Sequence, residues 1–157
     1  SSAASDVYKR QYYVSVVTNA YRMAVDWNKS NPGQPLPEWI SDEVFKVSHR
    51  KYCTGFFFGH PKNCQYYETS GYVRNYDVVA VIDKCENGIV YATQRNRFFL
   101  GDTLEILAPG QKPFVFKPEL IWNENNEEID TVNHAMMKFR FKCEIEFPPR
   151  SIIRKQL

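Results

Sequence analysis

Between residues 137 and 147 the chain alternates without a break. Met137, Phe139, Phe141, Cys143, Ile145 and Phe147 fall on one side, and Lys138, Arg140, Lys142, Glu144 and Glu146 on the other. Successive strand side chains point to opposite faces, so this stretch reads as a strand, 138–147, with one buried face. A one-residue slip would expose all six apolar side chains, which fixes the register. The same period runs through 72–84, 89–95, 103–107 and 114–122. Glu86-Asn87-Gly88, Gly101-Asp102, Pro109-Gly110 and the polar run 123–126 separate these segments. Asn87-Gly88 is a strong hairpin signal, because both residues tolerate positive φ. Short strands with no helical crossover between them predict a small antiparallel barrel or sandwich.

Before residue 71 the period is 3.6 instead. Tyr13, Val16, Val17, Ala20, Ala24 and Trp27 recur at three- and four-residue steps, predicting a helix over 12–27. Asn31-Pro32-Gly33-Gln34-Pro35 ends it, and Pro37 suits the first turn of a second helix reaching Val47, with Ile40, Val44 and Val47 as its apolar stripe. The class is therefore α+β: one or two N-terminal helices followed by the barrel. Hydrophobic content of 43% with 15% aromatic excludes a disordered chain. A net charge of +2 argues for neither nucleic acid nor membrane by itself, and the aliphatic run 78–82 is too short to span a bilayer. Cys53, Cys64, Cys85 and Cys143 form no Cys-x-x-Cys pair and lack the density of a secreted scaffold, so free thiols and a cytoplasmic location are expected. Residues 1–11 match what a common sequencing adapter encodes in one frame. They are read as a scar on a reading frame cut off at its start.

Several constellations carry residue types suited to chemistry. His49, Cys53, His60 and Cys64 are zinc-favoured types, but the spacing lacks a tight cysteine pair. Cys53 with His49 would make a thiol–imidazole pair, yet no orienting third residue is identifiable. Asp102 and Glu105 are better explained as a turn residue bonding backbone amides and a solvent-facing strand residue than as an acid–base pair. Glu124, Glu127, Glu128 and Asp130 read as a solvated loop. Lys138, Arg140 and Lys142 form a basic row on the outer face of the last strand, followed by Arg150, Arg154 and Lys155. A solvated strand face is the default reading of that row; with Tyr66, Tyr67, Tyr72, Tyr76 and Tyr91 as stacking surfaces, Lys138, Arg140 and Lys142 are also the candidate contact for a nucleic-acid single strand. No Gly-rich phosphate loop, His-Glu-x-x-His helix or Gly-x-Ser-x-Gly elbow occurs.

Two motifs carry a resemblance. The first is Ser48-His49-Arg50-Lys51-Tyr52-Cys53-Thr54-Gly55-Phe56-Phe57-Phe58-Gly59. The second is Arg95-Asn96-Arg97-Phe98 leading into Gly101-Asp102-Thr103-Leu104-Glu105-Ile106-Leu107-Ala108-Pro109. In this order and at this distance they resemble the C-terminal region of the collagenase-like peptidase family U32, from about Tyr12 to the end of the chain. The resemblance implies a compact β-barrel similar to the second domain of translation elongation factors. It implies structural roles for Thr54, Gly55, Phe56, Arg95, Asn96, Phe98, Gly101, Asp102, Leu104, Glu105 and Pro109.

It also implies that the reaction centre lies in a larger preceding domain, together with the cysteines of any iron–sulfur cluster. No catalytic residue, metal ligand or cofactor is then expected in this chain. Some members of the family hydroxylate a wobble uridine of tRNA, while others are described as collagen-degrading proteases. The resulting expectation is a helical link over 12–47, a connecting segment over 48–70, a C-terminal barrel over 71–150 and a tail over 151–157. This unit would position substrate or RNA, with the preceding domain and tRNA as partners and no membrane. A free-standing RNA- or protein-binding module is the alternative, and a small self-contained hydrolase the third.

Overall fold

A computed structural model describes residues 2–50, 52–60 and 71–157. Helix α1 (Ser2–Ser30) is followed by the short α2 (Glu38–Glu43). The strands are β1 (Tyr76–Glu86), β2 (Ile89–Gln94), β3 (Phe98–Phe99), β4 (Leu104–Leu107), β5 (Phe114–Phe116), β6 (Ile121–Asn123), β7 (Glu128–Ile129), β8 (Thr131–Val132), β9 (Lys138–Lys142) and β10 (Ile152–Gln156). Eight of them form one antiparallel sheet in the order β5-β4-β10-β1-β2-β9-β6-β7, and β3 pairs with β8 separately. The expected class, helices followed by an antiparallel barrel-like sheet, is the one observed.

The sheet curls because β1 is bulged twice, between Val78 and Ala80 and again between Ile82 and Lys84. A bulge adds a residue to one strand only, bending it and increasing its twist. Hydrogen bonding does not close the cylinder, since β5 and β7 remain edges. Side chains bridge the gap instead. The Phe116 ring stacks on Phe141 of β9 at 5.0 Å, and Phe114 meets Phe147 at 5.8 Å. Around them Val79, Ile82, Val90, Phe98, Ile106 and Ile153 fill one continuous core. The Asn87-Gly88 turn lies at φ +53° and +73°, the left-handed values that this hairpin type needs.

Three expectations need correction. The stretch 151–157 is no tail: β10 sits centrally, between β1 and β4, with Ile153 fully buried. The segment 114–122 is two strands, because Pro118 lacks the N–H that a continuous ladder would use. The last alternating segment pairs only as far as Lys142. Cys143 donates its amide to the Gly88 carbonyl at the hairpin tip, and its partner β2 goes no further. Beyond that point Ile145 is 43% exposed, although Phe147 returns to the core.

The helical stripe holds at Val16 and Ala20, but Tyr12 takes the buried place expected of Tyr13. Tyr12, Val16, Ala20 and Met23 are buried, whereas Tyr13 is 40% exposed. In and after α2 the buried positions are Ile40, Glu43 and Val47, so a carboxylate stands beside the expected aliphatic stripe. Tyr12, Val16 and Val47 pack on Leu107 of β4, joining the helical segment to the sheet.

Candidate functional site

Arg95 and Asn96 are positioned by the first bulge of β1. The Val79 carbonyl there accepts both of their amides, at 2.8 and 3.2 Å, and Asn96 Nδ2 donates to the Val78 carbonyl at 2.7 Å. This latch presents Phe98 to the core, where it is 1% exposed and meets the Phe139 ring edge-on at 5.2 Å. The chain then reverses at Gly101, which adopts φ +91°. Asp102 closes the turn, its Oδ2 accepting the Phe99 amide at 2.9 Å and Lys155 Nζ at 3.1 Å. Burial alone would raise the Asp102 carboxyl, but the Phe99 amide and Lys155 together hold it below the ordinary value. Leu104 is buried, and just beyond Pro109 the Gly110 amide donates to Asn19 Oδ1 of α1 at 2.8 Å.

Glu105 is not the solvent-facing residue that alternation predicts. Its Oε2 accepts Arg154 Nη2 at 2.7 Å and Arg154 Nε at 2.9 Å, with Lys46 Nζ at 3.5 Å. Arg154 in turn is fully buried and so is no part of a basic surface. It also donates to Glu43 Oε1 at 2.8 Å and to the Tyr12 hydroxyl at 3.4 Å. Its guanidinium lies 5.1 Å from the centre of the Tyr76 ring, which places Tyr76 against this cluster and away from the basic row. Burial opposes the charge on Arg154, yet the Glu43 hydrogen bond and the neighbouring acidic groups hold its pKa above the ordinary arginine value. Burial likewise pushes the Tyr12 hydroxyl up to about 12, partly offset by Arg154. Tyr12 donates to the Lys46 carbonyl at 2.8 Å. These groups lock the helical segment onto the sheet.

The outer face of β2, β9 and β6 differs. Register aligns Tyr91, Arg140 and Trp122 across the three strands, with Lys84 of β1 beyond Tyr91 and Glu128 of β7 beyond Trp122. The Arg140 guanidinium lies 5.7 Å from the Trp122 ring centre, and Lys84 Nζ lies 4.9 Å from that of Tyr91. Tyr91, Arg140 and Trp122 are half-buried, while Lys138 and Lys142 are exposed on either side of Arg140. Among the described residues none of Lys138, Arg140 and Lys142 forms an ion pair, whereas Lys84 pairs with Glu86 at 2.9 Å. Of the aromatics expected beside this row only Tyr91 stands in it. Tyr72 lies elsewhere, 5.4 Å beneath Arg50, and Tyr66 and Tyr67 fall outside the described residues. Trp122 was missed. Reading 114–122 as one strand hides that its last part pairs with β9, so the indole has no apparent link to Arg140.

Thr54, Gly55 and Phe56 form a tight turn in which the Thr54 carbonyl accepts the Phe57 amide at 3.2 Å. Phe56, Phe57 and Phe58 project from it, 75%, 84% and 81% exposed. His49 is buried, its ring stacked on Tyr52 at 4.3 Å and its Nδ1 2.6 Å from the Arg50 carbonyl. Cys64, the fourth residue of the zinc-favoured set, lies outside the described residues. Among the described residues no three His, Cys, Asp or Glu side chains converge on a point that would hold a metal ion. No described helix is long and apolar enough to cross a membrane.

The sequence matches two family models, Peptidase family U32 over residues 6–66 and Peptidase family U32 C-terminal domain over residues 74–154. Among characterised proteins it is similar to tRNA hydroxylation protein P1 of Bacillus subtilis (strain 168), at 29% identity over 94% of this chain and 36% of that protein. It is also similar to tRNA hydroxylation protein P of Haemophilus influenzae, at 29% identity over 78% of this chain and 27% of that one. The chain thus spans about a third of the length of these relatives. Among solved structures it is similar to the C-terminal domain of a protein described as a U32 peptidase from Geobacillus thermoleovorans, with a TM-score of 0.48. That match has 28% identity and covers 50% of this chain and 99% of the other. The C-terminal domain model alone covers more than half of the sequence and includes the whole Arg95–Pro109 motif, so the chain belongs to peptidase family U32.

Proposed function

We propose that this chain is the substrate-positioning C-terminal part of a cytoplasmic U32 protein that acts on tRNA, and that its β2–β9–β6 face contacts the RNA without performing the chemistry. One observation carries this reading: the aligned Tyr91–Arg140–Trp122 row, with Lys138 and Lys142 beside it and in no ion pair among the described residues. Cations in one line suit a phosphate backbone, and flanking aromatic rings suit stacked bases of any sequence. The names of the two relatives favour tRNA over a protein substrate. The strongest acid–base candidates, Asp102 and Glu105, are held by amides and cations, which supports a role without catalysis.

Filter binding of the chain to tRNA across a salt series tests the proposal. The logarithm of affinity should fall linearly with the logarithm of salt concentration. Substituting Lys138, Arg140 and Lys142 together with alanine should flatten that slope by about two to three charges. Absence of binding at low salt, or an unchanged slope in the triple variant, would remove the reading.

The turn at Phe56, Phe57 and Phe58 favours a second partner, the domain that precedes this one in the longer relatives. It falls within residues 6–66, the stretch that matches the Peptidase family U32 model, and three neighbouring exposed phenylalanines make an interaction surface. Replacing Phe57 with serine in a full-length relative should lower its melting temperature, while the same change in this chain alone should not. Equal effects in both would remove this contact.

A further inference from the structure

Where β9 ends, the open side of the sheet forms a groove of about 390 Å³, within the roughly 300–1,000 Å³ range of small-ligand sites. Phe114, Phe116, Leu120 and Ile145 supply its apolar lining, with Lys117, Lys142, Glu119 and Glu144 supplying charge. We infer that this groove receives one unpaired nucleotide of an RNA strand lying along β9. The inference rests on the RNA reading above and adds a site to it.

Three observations lead there. First, Lys142 belongs both to the outward basic row and to the groove wall, so a backbone following Lys138 and Arg140 arrives at the groove. Outward side chains of an antiparallel strand repeat about every 6.8 Å, comparable to the separation of successive phosphates in an extended single strand. Second, the groove borders near-parallel rings: Phe114 and Phe116 stack at 6.0 Å and 16°, and Phe116 and Phe141 at 5.0 Å and 18°. A base entering beside them finds an apolar aromatic wall, the surface on which unpaired bases are held. Third, among the described residues Lys117, Lys142, Glu119 and Glu144 form no ion pairs. The lysines are therefore available to phosphate oxygens, and the carboxylates to the N–H groups of a base edge.

The test titrates the 157-residue chain with unpaired oligoribonucleotides carrying 2-aminopurine at one position at a time. One position should give a large fluorescence change on binding while its neighbours do not. Leu120→Trp and Ile145→Trp each fill the groove from a side chain that is already 39% or 43% exposed, so both should melt like the parent. Each should erase the response at that position and weaken binding by at least about five-fold, the scale of one lost base stack. Salt-dependent binding with no position-specific response, or with a response that both variants keep, would overturn the groove and leave the face reading intact. No binding of tRNA or oligonucleotide at low salt would overturn both.

Discussion

Arg154 Nη2 donates to Glu43 Oε1 across 2.8 Å, although the two residues lie 111 positions apart in sequence. The same nitrogen reaches Glu105 Oε2 at 2.7 Å, so one guanidinium from the last strand ties α2 to β4. Glu43 is 1% exposed and Arg154 is fully buried. A pair this far from water stands only while both members are present, because a lone buried charge keeps its desolvation cost without the compensating attraction.

Arg154→Met should therefore destabilise the chain by about 3 kcal/mol, since Glu43 and Glu105 would share only Lys46, at 3.0 and 3.5 Å, as a cation. Glu43→Gln, which leaves Arg154 paired with Glu105, should cost less. Urea denaturation of both variants measures the difference. Equal stability of Arg154→Met and the parent would show that the cluster does not hold the helices to the sheet.

The Tyr12 hydroxyl, pushed up to about 12 by burial, makes the chain sensitive to alkali. The unfolded chain ionises this group near pH 10 and the folded chain near 12, so the folded state binds more protons between them and stability falls as pH rises. The stabilisation is fully present below pH 10 and amounts to about 2–3 kcal/mol. Melting curves between pH 9 and 12 should show this loss in the parent. Tyr12→Phe should decline less steeply over the same window.

Phe141 is 1% exposed and stacks on Phe116, while Lys138, on the opposite face of β9, is exposed. Phe141→Ala should cost about 3–5 kcal/mol through loss of burial and a residual cavity. Lys138→Ala should change stability by no more than about 0.5 kcal/mol. Denaturation midpoints compare the two directly, and similar costs would contradict the observed register.

At Gly101 the strain is in the backbone alone. An added Cβ would meet nothing within 4 Å, but φ is +91°. Gly101→Val should thus cost at least about 1–2 kcal/mol from the unfavourable φ. Asp102→Asn keeps an acceptor for the Phe99 amide and loses the charge facing Lys155, so it should be milder. Thermal melts at pH 7 rank the pair. The Asp102 carboxyl sits below its ordinary value when folded, so its contribution is present above the unfolded value and is lost as pH falls through the folded one.

What the sequence determined by itself was local in origin. The alternation at Phe139 and Phe141, the positive φ at Asn87 and Gly88, and the Asp102 turn depend on side-chain period and on steric limits a few residues wide. Those limits read directly from residue order. The family motifs were legible for the same reason, being short and contiguous. Tertiary structure alone decided the fate of the charged residues. Arg154 stands in Ile152-Ile153-Arg154-Lys155-Gln156, which on its own reads as a basic end of chain, and Glu105 alternates like an exposed strand residue. Whether such a group meets water or an opposite charge depends on partners 49 and 111 residues away, and no local pattern encodes them. Trp122 joined Tyr91 and Arg140 in the same manner. Three strands had to pair in one register before an indole, a guanidinium and a phenol shared a face.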